Sequence, residues 1–304
     1  MSPQTYRGAA GGCVGCPHAQ RAWRTVFADL RSPARRGCGV KRIGTVLLAV
    51  AGSWAHAQDS TELRVYAAGS LRAALTEVAQ AFERGEPGVR VLFTFGASGL
   101  LRDRIAGGER ADVFASANME HPQALASSGQ AGPVRRFTRN AMCALVAPAV
   151  DVTPETLVER LLDPAIKVGT STPKADPSGD YAWMVFARIE QQGRRGAFKQ
   201  LTDKALQLTG GPNSPPPPQG RNVYADLVAQ GRADVFVTYC TNATAARTEQ
   251  PALRSVAIPA AINVNADYGV APIHGAGGTA QRFIDYLLSP PAQAVFARAG
   301  FAPA

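Results

Sequence analysis

The sequence predicts an α/β protein built on doubly wound sheets. A unit of short apolar strand, Gly/Ser turn and helix recurs along the chain, the pattern that lays strands side by side with helices on their faces. The chain has 304 residues, 46% of them hydrophobic, enough apolar material for one large domain or for two lobes with cores of their own. It shows neither an internal repeat nor coiled-coil heptads.

Leu63 to Ala67 is a β-branched and apolar run that ends at Gly69-Ser70. Leu71, Leu75, Val78 and Phe82 then follow at helical spacing. Val89 to Phe95 predicts a second strand, closed by Gly96-Ala97-Ser98-Gly99 and a helix over Leu100 to Ala106; Asp112 to Ala115 predicts a third strand. Ala141 to Ala147 is an apolar strand stopped by Pro148. A second block offers a strand at Ile166 to Gly169, helices at Tyr181 to Gln191 and Tyr224 to Gln230, and a strand at Asp234 to Tyr239. Two helices, Ala280 to Leu288 and Ala292 to Ala299, close the chain. Segment 209–220 contains Pro212 and the run Pro215 to Pro218, which favours extended polyproline II structure. It reads as a surface connection or as a stiff flap near a ligand mouth.

The formal charge of +9 is unevenly placed. Residues 1–57 hold eight Arg and Lys against Asp29 alone, which accounts for +7 and leaves +2 for the body. A nearly neutral body argues against nucleic acid as a partner. Val40-Lys41-Arg42, the apolar run Ile43 to Trp54 and Ala55-His56-Ala57 form the basic, apolar and small-x-small regions of a secretory signal peptide. Cleavage after Ala57 is expected, and translation is expected to start at Val40. The run is shorter than the roughly 20 residues of a membrane span, so a periplasmic protein is predicted. Cys13 and Cys16 form an isolated pair within residues 1–39, which lack apolar periodicity. Cys143 and Cys240 remain after cleavage; an oxidising compartment allows them to bridge, and buried thiols are the alternative.

The body carries only His121 and His274, no Gly-x-Ser-x-Gly elbow, no phosphate-loop lysine motif and no dinucleotide fingerprint. The expectation is a binding protein without a cofactor rather than an enzyme. Its polar candidates are small: Ser70 follows the first strand and Ser98 the second, each at the start of a helix. Helix N-termini present unpaired N–H groups and a partial positive charge, so two such turns side by side form an anion cradle. Both serines equally suit simple helix caps.

Leu63 to Leu71 (LRVYAAGSL), Phe95 to Gly99 (FGASG) and Ala111 to Ala117 (ADVFASA) resemble the periplasmic molybdate-binding protein family of ABC transporters. So do Pro177-Ser178-Gly179 with Tyr181-Ala182, the strand Asp234 to Tyr239, and Phe283 to Pro290 with Gly300-Phe301. The similarity spans about residues 61–304. It implies a two-lobed periplasmic binding protein fold, each lobe a doubly wound sheet, with the ligand cleft between lobes. Residues 61–140 plus about 255–304 would form lobe 1, and 141–254 lobe 2. By the same resemblance Ser70 and Ser98 give hydroxyls and amides, Ser178 and Val223 give backbone amides, and Tyr239 gives its hydroxyl to a molybdate or tungstate oxyanion. The partner implied is a membrane ABC transporter permease, served by a monomer. A set of neutral donors replaces the hydration shell of a dianion and selects fully ionised anions, since a protonated ligand oxygen meets only donors. The chain departs from the family at Lys174, Asp176, Ser178, Cys240 and Asn242, and in the Pro-rich stretch before Val223. All of these fall on the second-lobe half of the site. The alternative is another oxyanion or a small organic anion.

Overall fold

The computed structural model describes residues 61–216 and 220–304. The leader, the cleavage site after Ala57, the Val40 start, Cys13 and Cys16, and Pro217 and Pro218 lie outside the described residues.

The chain begins with β1 (Thr61–Ala68), α1 (Arg72–Gly85), β2 (Val89–Gly96), α2 (Ser98–Ala106), β3 (Val113–Ser116) and α3 (Glu120–Ser127). The long β4 (Arg135–Val146) leads to α4 (Leu157–Leu162), β5 (Val168–Ser171), α5 (Pro177–Gln191), α6 (Ala197–Lys204) and β6 (Leu206–Thr209). Then come α7 (Val223–Ala229), β7 (Val235–Tyr239), α8 (Cys240–Glu249) and β8 (Arg254–Ala257). β9 (Asn265–Pro272), α9 (Gly278–Leu287), α10 (Pro290–Arg298) and the short β10 (Ala302–Pro303) complete it.

The strands run in the order β2-β1-β3-β9-β4-β7-β5-β6, with β8 and β10 also paired to β4. β1 is parallel to β2 and β3, and β5 is parallel to β6 and β7. These are the wound halves expected from the repeated strand–turn–helix units. β4 joins them. Its Arg135–Ala141 stretch pairs antiparallel with β9, and its Met142–Val146 stretch pairs antiparallel with β7. The chain passes from the first sheet to the second inside this one strand and returns between β8 and β9, giving the two-lobed α/β fold.

Burial follows from this layout. Leu63, Val65 and Ala67 of β1 pack with Leu75, Val78 and Phe82 of α1, while Tyr66 on the opposite face packs with Leu101 and Ile105 of α2. A strand covered on both faces reads as an almost continuous apolar run, which is why β1 was legible. Phe82 also meets Phe283 of α9 edge-on, at 5.1 Å between ring centres, fixing the C-terminal helices to the same layer.

Of the expected boundaries that move, three have a clear physical reason. α5 starts at Pro177 rather than Tyr181, because Asp176 caps it through Ser178 N–H and proline fits its first turn. β4 begins at Arg135, six residues before the apolar stretch, because its charged first half pairs with β9. Thr209 belongs to β6 and not to an irregular segment, and a turn follows in which Gly211 N–H donates to Ser214 Oγ at 3.0 Å.

Candidate functional site

Ser70 lies in a single 3₁₀ turn, Gly69–Leu71, between β1 and α1, and Ser98 is the first residue of α2. Neither hydroxyl caps its helix. The cap explanation therefore fails for both, and each hydroxyl has another partner. Ser98 Oγ accepts from Ala117 N–H at 3.1 Å, just past the end of β3. The serine's own proton is thus left to donate elsewhere. Ser70 Oγ is 3.0 Å from the Tyr268 hydroxyl of β9.

Tyr239 ends β7 on the second sheet, and its hydroxyl donates to Ala117 C=O at 3.4 Å. Ser98, at the start of α2, and Tyr239, at the end of β7, thus converge on one residue. The Tyr239 ring packs at 5.6 Å from Tyr268, which holds Ser70 in the same group. Asn140 Nδ2 extends the network, donating to Thr241 Oγ1 at 2.8 Å and to the Tyr268 hydroxyl at 3.3 Å. Burial raises both phenols well above their ordinary range, with Tyr268 adding to the shift at Tyr239. Both keep their protons and act as neutral donors.

Ser178 and Val223 fall differently. Ser178 is fully buried, but its backbone N–H donates to Asp176 Oδ1 at 3.1 Å, so that amide is engaged by the protein's own carboxylate. Its hydroxyl lies 3.4 Å from Thr238 Oγ1, beside Tyr239, and Asn242 Nδ2 donates to the same Thr238 oxygen at 3.0 Å. Val223 opens α7, where Asn222 Oδ1 accepts from Tyr224 N–H and Ala225 N–H at 3.0 Å each. The Val223 amide is not one of those that Asn222 caps. Lys174, which could have turned inward, is exposed.

The two halves touch. Gly99 N–H in α2 donates to Ala175 C=O, in the loop between β5 and α5, at 2.9 Å. Next to the network, α3 and α5 border a crevice of about 260 Å³ lined by Asn118, Glu120, Asp180, Tyr181, Met184 and Asp267 among others. Its carboxylates, from Glu120, Asp180 and Asp267, do not suit an anion. Cys143 of β4 and Cys240, immediately after Tyr239, form a disulfide, which settles the two alternatives for this pair. Among the described residues no group of three or more His, Cys, Asp and Glu is placed to hold a metal ion.

Tyr268, Asn140 and Thr241 were missed in the sequence. The alternation of Ala266, Tyr268 and Val270 along β9 is the signal that could have found Tyr268, since all three are fully buried.

The pattern of the bacterial extracellular solute-binding proteins matches residues 63–302. The chain belongs to that family. An uncharacterized protein of Pasteurella multocida is 36% identical over 227 residues, covering 74% of this chain and 92% of its own length. The molybdate-binding protein of Mycobacterium bovis is 27% identical over 248 residues, 81% of this chain and 86% of the relative. Among solved structures, the sulfate-binding protein SubI of Mycobacterium tuberculosis superposes with a TM-score of 0.66 at 22% identity, covering 80% of this chain and 87% of that one. Members of the family carry solutes and are not enzymes. No helix among the described residues is long and apolar enough to cross a membrane.

Proposed function

We propose that this chain is the periplasmic solute-binding component of an ABC importer, and that it holds molybdate or tungstate between its two lobes for delivery to a membrane permease. The observation that carries this reading is the convergence of Ser98 and Tyr239 on Ala117, with Ser70 joined to them through Tyr268. Each of the three is an uncharged hydroxyl. A dianion stripped of water needs several fixed donors at once. The Ser98 proton is free to point at a ligand, the Ser70–Tyr268 pair has one hydroxyl proton to spare, and Tyr239 has only a long bond to lose. Relatives named for molybdate and for sulfate fit the same chemistry. They also support a second reading, a different oxyanion or small organic anion, favoured by the Asp176 carboxylate on the Ser178 amide.

Titration calorimetry of the purified protein with molybdate, tungstate, sulfate and phosphate tests the reading, with molybdate and tungstate expected to bind most tightly and without turnover. Ser70→Ala and Ser98→Ala should each weaken molybdate binding by about 1.5–3 kcal/mol, the range for a hydrogen bond to a charged group. Tyr239→Phe should cost less, because water can replace the lost hydroxyl. Unchanged affinity in both serine variants would refute the site.

A further inference from the structure

We propose that Asn140 is a positioning residue for anion binding: it turns the Tyr268 hydroxyl toward Ser70, so that the Ser70 proton is left for the ligand. The proposal rests on the cleft reading above and deepens it, because it gives one of the cleft's donors a fixed direction. Asn140 lies in β4, paired with Ala266 of β9, two residues before Met142 takes up the pairing with β7. It is buried, as are Thr241 and Tyr268. The two ends of its amide are told apart by their partners. Oδ1 accepts from Ala141 N–H at 3.0 Å. Nδ2 therefore serves the network, with one proton for Thr241 Oγ1 at 2.8 Å and the other for the Tyr268 hydroxyl at 3.3 Å.

An amide N–H is a donor only, so the Tyr268 oxygen must accept from it. The Tyr268 proton then needs an acceptor of its own. Among the described residues the one within reach is Ser70 Oγ, at 3.0 Å. The opposite arrangement, with Ser70 donating, would load the Tyr268 oxygen with two donors and strand its proton on a fully buried phenol. A stranded buried donor is costly, whereas half-buried Ser70 spends its spare proton on water or on an anion. Ser98 is set in the same way by simpler means: Ala117 N–H, likewise a donor only, fills an acceptor site on its Oγ. Both serines thus accept from the protein and keep a proton to give, Ser98 through a backbone amide and Ser70 through Asn140 and Tyr268.

The test is molybdate titration calorimetry on wild type, Asn140→Asp, Ser70→Ala, Tyr268→Phe and the double variant Asn140→Asp with Ser70→Ala, each checked for folding by circular dichroism. Aspartate has the shape of asparagine but sets an acceptor where Nδ2 stood. It draws the Tyr268 proton to itself, and Ser70 must then donate to Tyr268 instead of to the ligand. Asn140→Asp should weaken molybdate binding by about tenfold to a hundredfold, as Ser70→Ala does. With Ser70 already replaced by alanine, the cost of Asn140→Asp should shrink by about tenfold, because the donor it acts through is gone. A new charge or a loosened fold beside the cleft would cost the same factor in both backgrounds, so an equal loss in both overturns the proposal. Tyr268→Phe leaves Ser70 its proton and should weaken binding less than Ser70→Ala. A loss as large as that of Ser70→Ala would make Tyr268 the donor and overturn the proposal even where Asn140→Asp does not fold. Failure of molybdate, sulfate and phosphate to bind wild type would overturn the cleft reading and this one with it.

Discussion

At position 99 the chain has no side chain, and the space one would fill is taken by the carbonyls of Lys174 and Ala175. A Cβ there would stand 2.7 Å from Ala175 O and closer still to Lys174 O, both backbone atoms of the opposite lobe. Gly99→Ala is expected to hold the lobes apart. Overpacking of this kind costs about 1–3 kcal/mol, so every anion should lose roughly tenfold to a hundredfold in affinity by a common factor. Calorimetry across the anion panel checks the common factor, and X-ray scattering with saturating ligand checks the separation. Lys174 is the only non-glycine residue at positive φ among the described residues, at 68°. Its N–H donates to Asp180 Oδ1 at 2.7 Å, which holds that uncommon conformation. The Lys174 side chain, one of the departures from the family, is exposed; its bearing on the site lies in the backbone carbonyl that meets Gly99. Side-chain chemistry is written in the letters, whereas a left-handed φ on a lysine is imposed by neighbours distant in the chain.

Elements tell a similar story. Strands covered on both faces, such as β1, β3, β5 and β7, announced themselves as apolar runs. β9 did not, because Asn265 and Asp267 break its apolar run and Gly269 adds no side chain to it. α8 offers no large apolar residue, only Cys240, alanines and polar or charged side chains, and its helical form depends on packing against β4 and β8. Tyr239, at the end of a clear strand, was picked out through the family resemblance, while Tyr268 and Thr241 lie on elements that the sequence does not announce. The disulfide also belongs to this scale. It ties the strand shared by both sheets to the first residue of α8, across 97 residues of sequence. Replacing Cys143 and Cys240 together by serine should lower stability by about 2–4 kcal/mol, the usual value for such a link. Denaturant unfolding with and without reductant measures it. Reduced wild type should match the double variant.

For the whole molecule, two buried groups pull stability in opposite directions with pH. Burial, helped by Arg102, holds the His121 pKa at about 4, against 6.5 in the ordinary state. The unfolded chain binds that proton more readily, so this contribution is present above pH 6.5 and lost as the pH falls toward 4. Asp176 behaves oppositely: its pKa is raised to about 6 from 3.8, so its contribution is full below pH 3.8 and lost as the pH rises through 6. Each shift corresponds to roughly 3 kcal/mol, so the two largely offset each other across the mildly acid range. Asp176→Asn removes one side of the balance. Scanning calorimetry should find this variant more stable than wild type at about pH 7.5, with the difference gone at about pH 4.

Because β9 and β10 lie near the end of the chain, the sheet that carries Ser70 and Ser98 waits for them. The parallel trio β2-β1-β3 has its open edge at β3, and β9 is the strand that covers it. A growing polypeptide that has not yet reached Asn265 leaves that edge bare, however much of the second sheet has been made. Pairings this remote in sequence form slowly. The pairing that closes this edge, and with it the partner of Ser70 at Tyr268, therefore forms only once nearly the whole chain has been made.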